Sequence, residues 1–205
     1  MVKFQNYIGS ETPLSISAIC QDPKIYKTKQ FRDACVEAHN ALFWVARGAN
    51  SFIEDMPQNQ HLSLLWVNDT QDFRTRYFEK QFQIGLNIRE LEIYFCDNGV
   101  KVPHSFCFDD RTPAFAEAWY LVELLHRDLD QSKFSTSLPF DSPFMLMGDT
   151  QDHNASLYNQ ELEALHVCLV KSMRLLQRMP SLLAPIKSLL HPVSYTHLRA
   201  HETFH

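Results

Sequence analysis

Between Thr28 and Ala49 the apolar positions Phe31, Cys35, Ala38, Leu42 and Val45 recur every three or four residues, the spacing that lays one stripe along an α-helix. Thr28 suits its N-cap and Gly48 its stop. The chain turns between Met56 and Gln60, and the apolar period then drops from about 3.6 to about 2. His61 to Asn68, Phe73 to Phe78 and Phe82 to Ile88 read as strands, with Phe82, Ile84, Leu86 and Ile88 on one face of the third. Leu91 to Cys96 repeats the pattern, and Asp97-Asn98-Gly99 is a tight-turn signal leading into Val100 to Phe108. Consecutive strands with short links predict an antiparallel meander.

Helical spacing returns after Asp109-Asp110-Arg111, with Thr112 as N-cap and Pro113 at the first helical position. Phe115, Trp119, Val122, Leu125 and Leu129 would line the side that covers the sheet, in a helix ending near Asp130. A connector from Gln131 to His153 is too long for an ordinary loop and predicts a short strand near Phe134 or Phe144. Ser156 to Met179 follows as a long amphipathic helix through Leu162, Leu165, Leu169, Met173 and Leu176. Pro180 and Pro185 should interrupt it before an apolar segment from Ile186 to Leu190. Residues 1–27, punctuated by Gly9, Pro13 and Pro23, suit a short strand or extended arm. The expected fold class is α+β: an antiparallel β-meander of four to five strands packed by three amphipathic helices, with an incomplete C-terminus.

The chain ends VSYTHLRAHETFH, and residues 193–203 resemble the translation of a transposase-based sequencing-library adapter. The expectation is a single, truncated α+β domain over residues 1–191, followed by a non-native tail at 192–205. His197, His201 and His205 lie four residues apart, one helical face, and would mimic a metal site. Their place in the adapter-like tail removes them from the candidates.

Composition narrows the class. Hydrophobic residues make up 45% and charged residues 21%, a globular balance, and fifteen Phe and three Trp point to an aromatic-rich interior. The formal net charge is −5 with no basic stripe, which argues against a nucleic-acid partner. Cys20, Cys35, Cys96, Cys107 and Cys168 are odd in number and never form a C-x-x-C pair, so they read as reduced, mostly buried thiols. The N-terminus lacks the apolar core of a signal peptide, and no stretch approaches the ~18 apolar residues of a membrane span. A cytoplasmic location without a membrane partner is the expectation.

The familiar nucleotide, hydrolase, zinc-protease and calcium-loop motifs are absent from the sequence. His104 with Asp109, Asp110 and Arg111 is the most suggestive polar group, because acidic side chains beside a histidine can hold a divalent metal or set an imidazole tautomer. The weightier reading is helix capping by Asp110 and Thr112, with His104 on the strand parity of Val102 and Phe106. A sheet face carrying His61, Arg74 and Arg76 would suit an anionic small molecule, although alternating arginines also describe a solvated face. His39, His126 and His166 carry no functional expectation, no metal or cofactor is assigned, and Cys107 should point away from His104.

The segments FQIGLNIRELEIYFCDNG, FCFDDRTPAFAEAWYL and SKFSTSLPF, followed by a helix, resemble a domain-of-unknown-function family of uncharacterised bacterial proteins of Bacteroidetes type. The resemblance covers roughly residues 30–191. It implies a fold, a bacterial source and a chain that continues further, and it carries no activity. The functional expectation is a non-catalytic small-molecule-binding or interaction domain. The alternative is a metal-dependent or small-molecule enzyme whose active site lies partly in a missing C-terminal region.

Overall fold

The structure is a computed structural model that describes residues 24–141, 145–146 and 152–187, with side chains as far as Gln177. The expectations for residues 1–23, Cys20, Phe144 and the tail at 192–205 lie outside the described residues. The fold is α+β, with an antiparallel sheet and, among the described residues, three α-helices. The chain divides into two compact units, Met1–Cys168 and Leu169–His205.

Helix α1 is Lys29–Phe52. Thr28 caps it as expected, its hydroxyl accepting the Phe31 N–H at 3.0 Å. Gly48 does not stop it. A Cβ there would lie 2.2 Å from Ile84 Cδ1 and 3.0 Å from the Tyr120 hydroxyl, so the glycine permits close packing inside the helix rather than a left-handed exit.

The strands are β1 Leu65–Val67, β2 Asp72–Arg74, β3 Phe82–Asn87, β4 Glu92–Asp97, β5 Val100–Lys101 and β6 Phe106–Cys107. They pair in the order β1-β2-β3-β4-β5, with β6 also on β4. Asn98 and Gly99, at φ 48° and 80°, join β4 to β5 where Asp97 pairs with Val100, the two-residue loop that the Asp-Asn-Gly signal predicts. The expected strand over Val100–Phe108 is one edge strand broken in its middle. Pro103 has no N–H for the ladder and His104 sits at φ 70°, so pairing lapses between Val102, whose N–H still reaches Phe95 O, and Phe106. The expected strand from Phe73 to Phe78 is likewise only Asp72–Arg74.

Ile84, Leu86, Ile93 and Phe95 form the sheet face beneath the helices, all fully or almost fully buried. Helix α2, Pro113–Leu125, begins at Thr112 and Pro113 as expected. Its end is set by Asp128 at φ 53°, with Leu129 N–H returning to Leu124 O and Asp128 N–H to Leu125 O, a C-cap made by Asp instead of Gly. The helix is also rotated from the expected face. Tyr120 donates to the Trp44 carbonyl at 2.7 Å and stacks on Phe134, which turns Ala116, Tyr120 and Leu124 inward and leaves Phe115, Val122 and Leu125 exposed.

The connector holds no strand at Phe134; a 3-10 turn at Gln131–Lys133 precedes it. Side chains of α1 take up the connector's backbone groups instead: Arg47 Nε donates to Thr136 O at 2.9 Å, and Ser51 Oγ accepts from Ser135 N–H at 2.9 Å. Helix α3, Asn159–Lys187, continues through Pro180 and Pro185, so the expected interruption does not occur. Each proline removes one backbone donor without ending the run. Leu162, Ala164 and Val167 are buried within the first unit, whereas Leu176, expected on the buried stripe, is exposed in the second. Among the described residues no helix is long and apolar enough to cross a membrane.

Candidate functional site

The structure separates the residues expected to form an anion-binding sheet face. His61 does not open a strand: it lies in a 3-10 stretch, Pro57–Leu62, and is 2% exposed. Its Nδ1 accepts the Met56 N–H at 3.3 Å and its Nε2 lies 3.2 Å from Asn50 Oδ1, so the imidazole ties the chain after α1 back onto that helix. Arg74 is 6% exposed rather than solvated. Its guanidinium donates to Gly99 O at 2.7 Å and to Thr70 Oγ1 at 3.2 Å, and pairs with Asp72 at 3.4 Å. Tyr94, lying over Gly85, donates its hydroxyl to Asp72 in the same cluster, and burial followed by that carboxylate holds the Tyr94 hydroxyl far above its ordinary pKa. Arg76 is exposed in the link that follows β2. These groups satisfy one another, as buried ions must, and they stabilise the β2–β4 face instead of presenting it to a ligand.

The second expected set also divides. Asp109 Oδ1 accepts the Ser156 N–H at 2.8 Å, Asp110 donates its N–H to His153 O at 2.9 Å, and Arg111 O accepts the His153 N–H at 2.9 Å. Arg111 extends over the Phe115 ring at 5.4 Å. Asp109, Asp110 and Arg111 therefore pin the 153–156 segment to the entry of α2. Beside them His153, fully buried, meets Glu37 of α1 at 2.9 Å. Cys107 offers little nucleophile, because desolvation first, then Glu92 and Glu90, raise its thiol pKa.

His104 belongs elsewhere. The break in the edge strand releases it from the expected parity with Val102 and Phe106, and its carbonyl accepts the Trp119 indole N–H at 2.8 Å. The ring then stands over the last turn of α2, where Glu123 and His126 share a face three residues apart. Glu123 is 2% exposed, while the side chains of His104 and His126 are 72% and 53% exposed. Arg127 Nη1 donates to Glu123 Oε2 and to the Glu123 carbonyl, both at 2.7 Å. The other carboxylate oxygen, Oε1, faces two imidazoles, 4.0 Å from His104 Nδ1 and 3.6 Å from His126 Nδ1. One ligand atom from each of the three residues lies within 4.8 Å of the others.

His104 and His126 line a cleft of about 600 Å³ together with Phe82, Asp97, Pro103, Arg127 and Asp128, and Glu123 lies behind them. Sequence reasoning singled out His104, set His126 aside and missed Glu123. The i, i+3 spacing of Glu123 and His126 was legible; the partnership with His104 depends on the positive φ that breaks the strand.

Comparison with known proteins leaves the site to be read from its own geometry, for no family model, no curated protein and no solved structure matches the chain.

Proposed function

We propose that this chain is a non-catalytic binding domain of a cytoplasmic bacterial protein, and that it holds a small polar ligand in the cleft beside Glu123. One observation carries the reading: a carboxylate buried to 2% exposure turns one oxygen toward two exposed imidazoles at the mouth of a cleft. Burying a carboxylate is costly unless it is paired. Arg127 pairs with one oxygen and leaves the other turned toward the two imidazoles, where a ligand meets convergent polar groups beside Phe82, Val102 and Pro103. The resemblance to bacterial proteins and the lack of an apolar signal-peptide core support the cellular setting, and the acidic balance of the sequence argues against nucleic acid.

The test follows the His104 and His126 ring resonances by NMR while the full chain is screened against small carboxylates, amines and phosphates. A binder shifts both rings saturably, and its binding measured by calorimetry is lost in His104→Ala with His126→Ala. A screen in which no compound moves either ring removes the cleft as a binding site.

A further inference from the structure

We infer that His104, Glu123 and His126 form a three-ligand site for a divalent transition metal of the zinc class, with the fourth position open to the cleft. The inference rests on the binding reading above and names the ligand.

Distances carry the argument. At 4.0 and 3.6 Å, the two imidazole nitrogens are too far from Glu123 Oε1 for hydrogen bonds. A tetrahedral zinc centre, with metal–nitrogen and metal–oxygen bonds of about 2.0–2.2 Å, separates neighbouring ligand atoms by about 3.4 Å. The His126 and His104 separations exceed that edge by about 0.2 and 0.6 Å, and one ligand atom from each of the three residues lies within 4.8 Å of the others. Both imidazoles are more than half exposed, so small rotations of His104 and His126 complete the approach without disturbing packed neighbours.

The surroundings suit a cation. Arg127 fixes the carboxylate from behind through Oε2, the orienting bond that metal-ligating carboxylates commonly receive. Trp119 fixes the backbone of His104 through its carbonyl. Arg127 is itself a cation, yet Asp97 and Asp128 also line the cleft, so together with Glu123 the carboxylates outnumber the guanidinium and the local charge favours a cation. Two imidazoles with one carboxylate favour zinc, cobalt or nickel over magnesium or calcium, which take oxygen sets. Three protein ligands leave a coordination position for water or for a small anion entering the cleft.

The experiment titrates the chelator-treated full chain with Zn²⁺ by calorimetry and with Co²⁺ by visible absorption. Two backgrounds remove competing ligands: His197→Ala/His201→Ala/His205→Ala for the tail, and Cys107→Ser/Cys168→Ser for the exposed thiols. One equivalent should bind in both backgrounds, with the intense absorption of four-coordinate Co²⁺. His126→Ala, at an exposed position, and Glu123→Gln, which preserves volume, should each weaken it by more than the ~10–100-fold typical of outer-shell changes. Binding that vanishes with the tail histidines, or that is unchanged by His126→Ala, overturns the site. If Co²⁺ gives no signal but small ligands still shift both imidazoles of the metal-free chain, the metal inference falls and the binding cleft stands; if neither responds, both fall.

Discussion

Replacing Gly85 by alanine should cost about 2–5 kcal/mol, and the sum can be worked from one aromatic ring. The new Cβ would lie 2.4 Å from Cζ, 2.5 Å from Cε2 and 2.7 Å from the hydroxyl oxygen of Tyr94, whereas carbon atoms in contact rest ~3.5–4.0 Å apart. The ring must therefore move by about 1 Å or more. It has little room: Tyr94 is buried, its hydroxyl is held by Asp72, and Lys101 Nζ sits 4.7 Å from its centroid. Overpacking of this kind costs ~1–3 kcal/mol. Pulling the hydroxyl from a buried carboxylate adds ~1.5–3 kcal/mol. Relief of glycine's entropy in a strand returns ~0.5–1 kcal/mol. Urea titration followed by circular dichroism reads the result; at a slope of ~2 kcal/mol/M the midpoint should fall by ~1–2.5 M. The same substitution in a Tyr94→Ala background should be almost neutral, because the clash has been removed. A loss below ~0.5 kcal/mol in the otherwise unaltered chain would refute the close packing of Tyr94 on Gly85.

Three further outcomes follow from buried groups. Arg47 is 1% exposed, donates to Thr136 O and lies 4.2 Å over the Trp44 ring, so Arg47→Ala should cost ~2–5 kcal/mol in thermal melting, and a cost under ~1 kcal/mol would contradict its role in holding the connector. Desolvation lowers the His166 pKa, with Glu163 opposing and Arg89 reinforcing the shift. The unfolded chain then binds that proton more readily, so stability should be full above pH ~6.5 and decline as pH falls below it toward the depressed folded value; His166→Gln should flatten this slope in urea titrations, and an unchanged slope would count against it. Cys96 is fully buried with its thiol pKa raised by desolvation, so peptide mapping after alkylation should find the exposed Cys168 labelled in the native chain and Cys96 labelled only in denaturant.

Local signals in the sequence were the ones that held. Thr28 at the start of α1, Thr112-Pro113 at the start of α2 and Asp97-Asn98-Gly99 between β4 and β5 each act within four residues, and each stands where it was read. What required a distant partner was hidden. Gly48 looks like a stop until Ile84 and Tyr120 are packed against it. Helix α2 is apolar on several sides, so its period could not choose between the Phe115–Val122–Leu125 face and the Ala116–Tyr120–Leu124 face that the bond to Trp44 O turns inward. Arg74 reads as a solvated residue until Asp72, Thr70 and Gly99 surround it. The candidate site suffered the same limit: His104 was visible, but only the φ of 70° inside the broken strand swings it toward Glu123 and His126.

The contacts that join α1 to the connector set an order of events on the ribosome. Glu37 meets His153 across 116 residues, and Asn40 receives the Leu146 N–H across 106. At a synthesis rate of ~5–20 residues per second, α1 emerges on the order of ten seconds before these partners exist. During that interval the flank of α1 that will carry them is uncovered, and the sheet can close on its other flank first. The nascent chain thus passes through a window of that length before either long-range hydrogen bond can form.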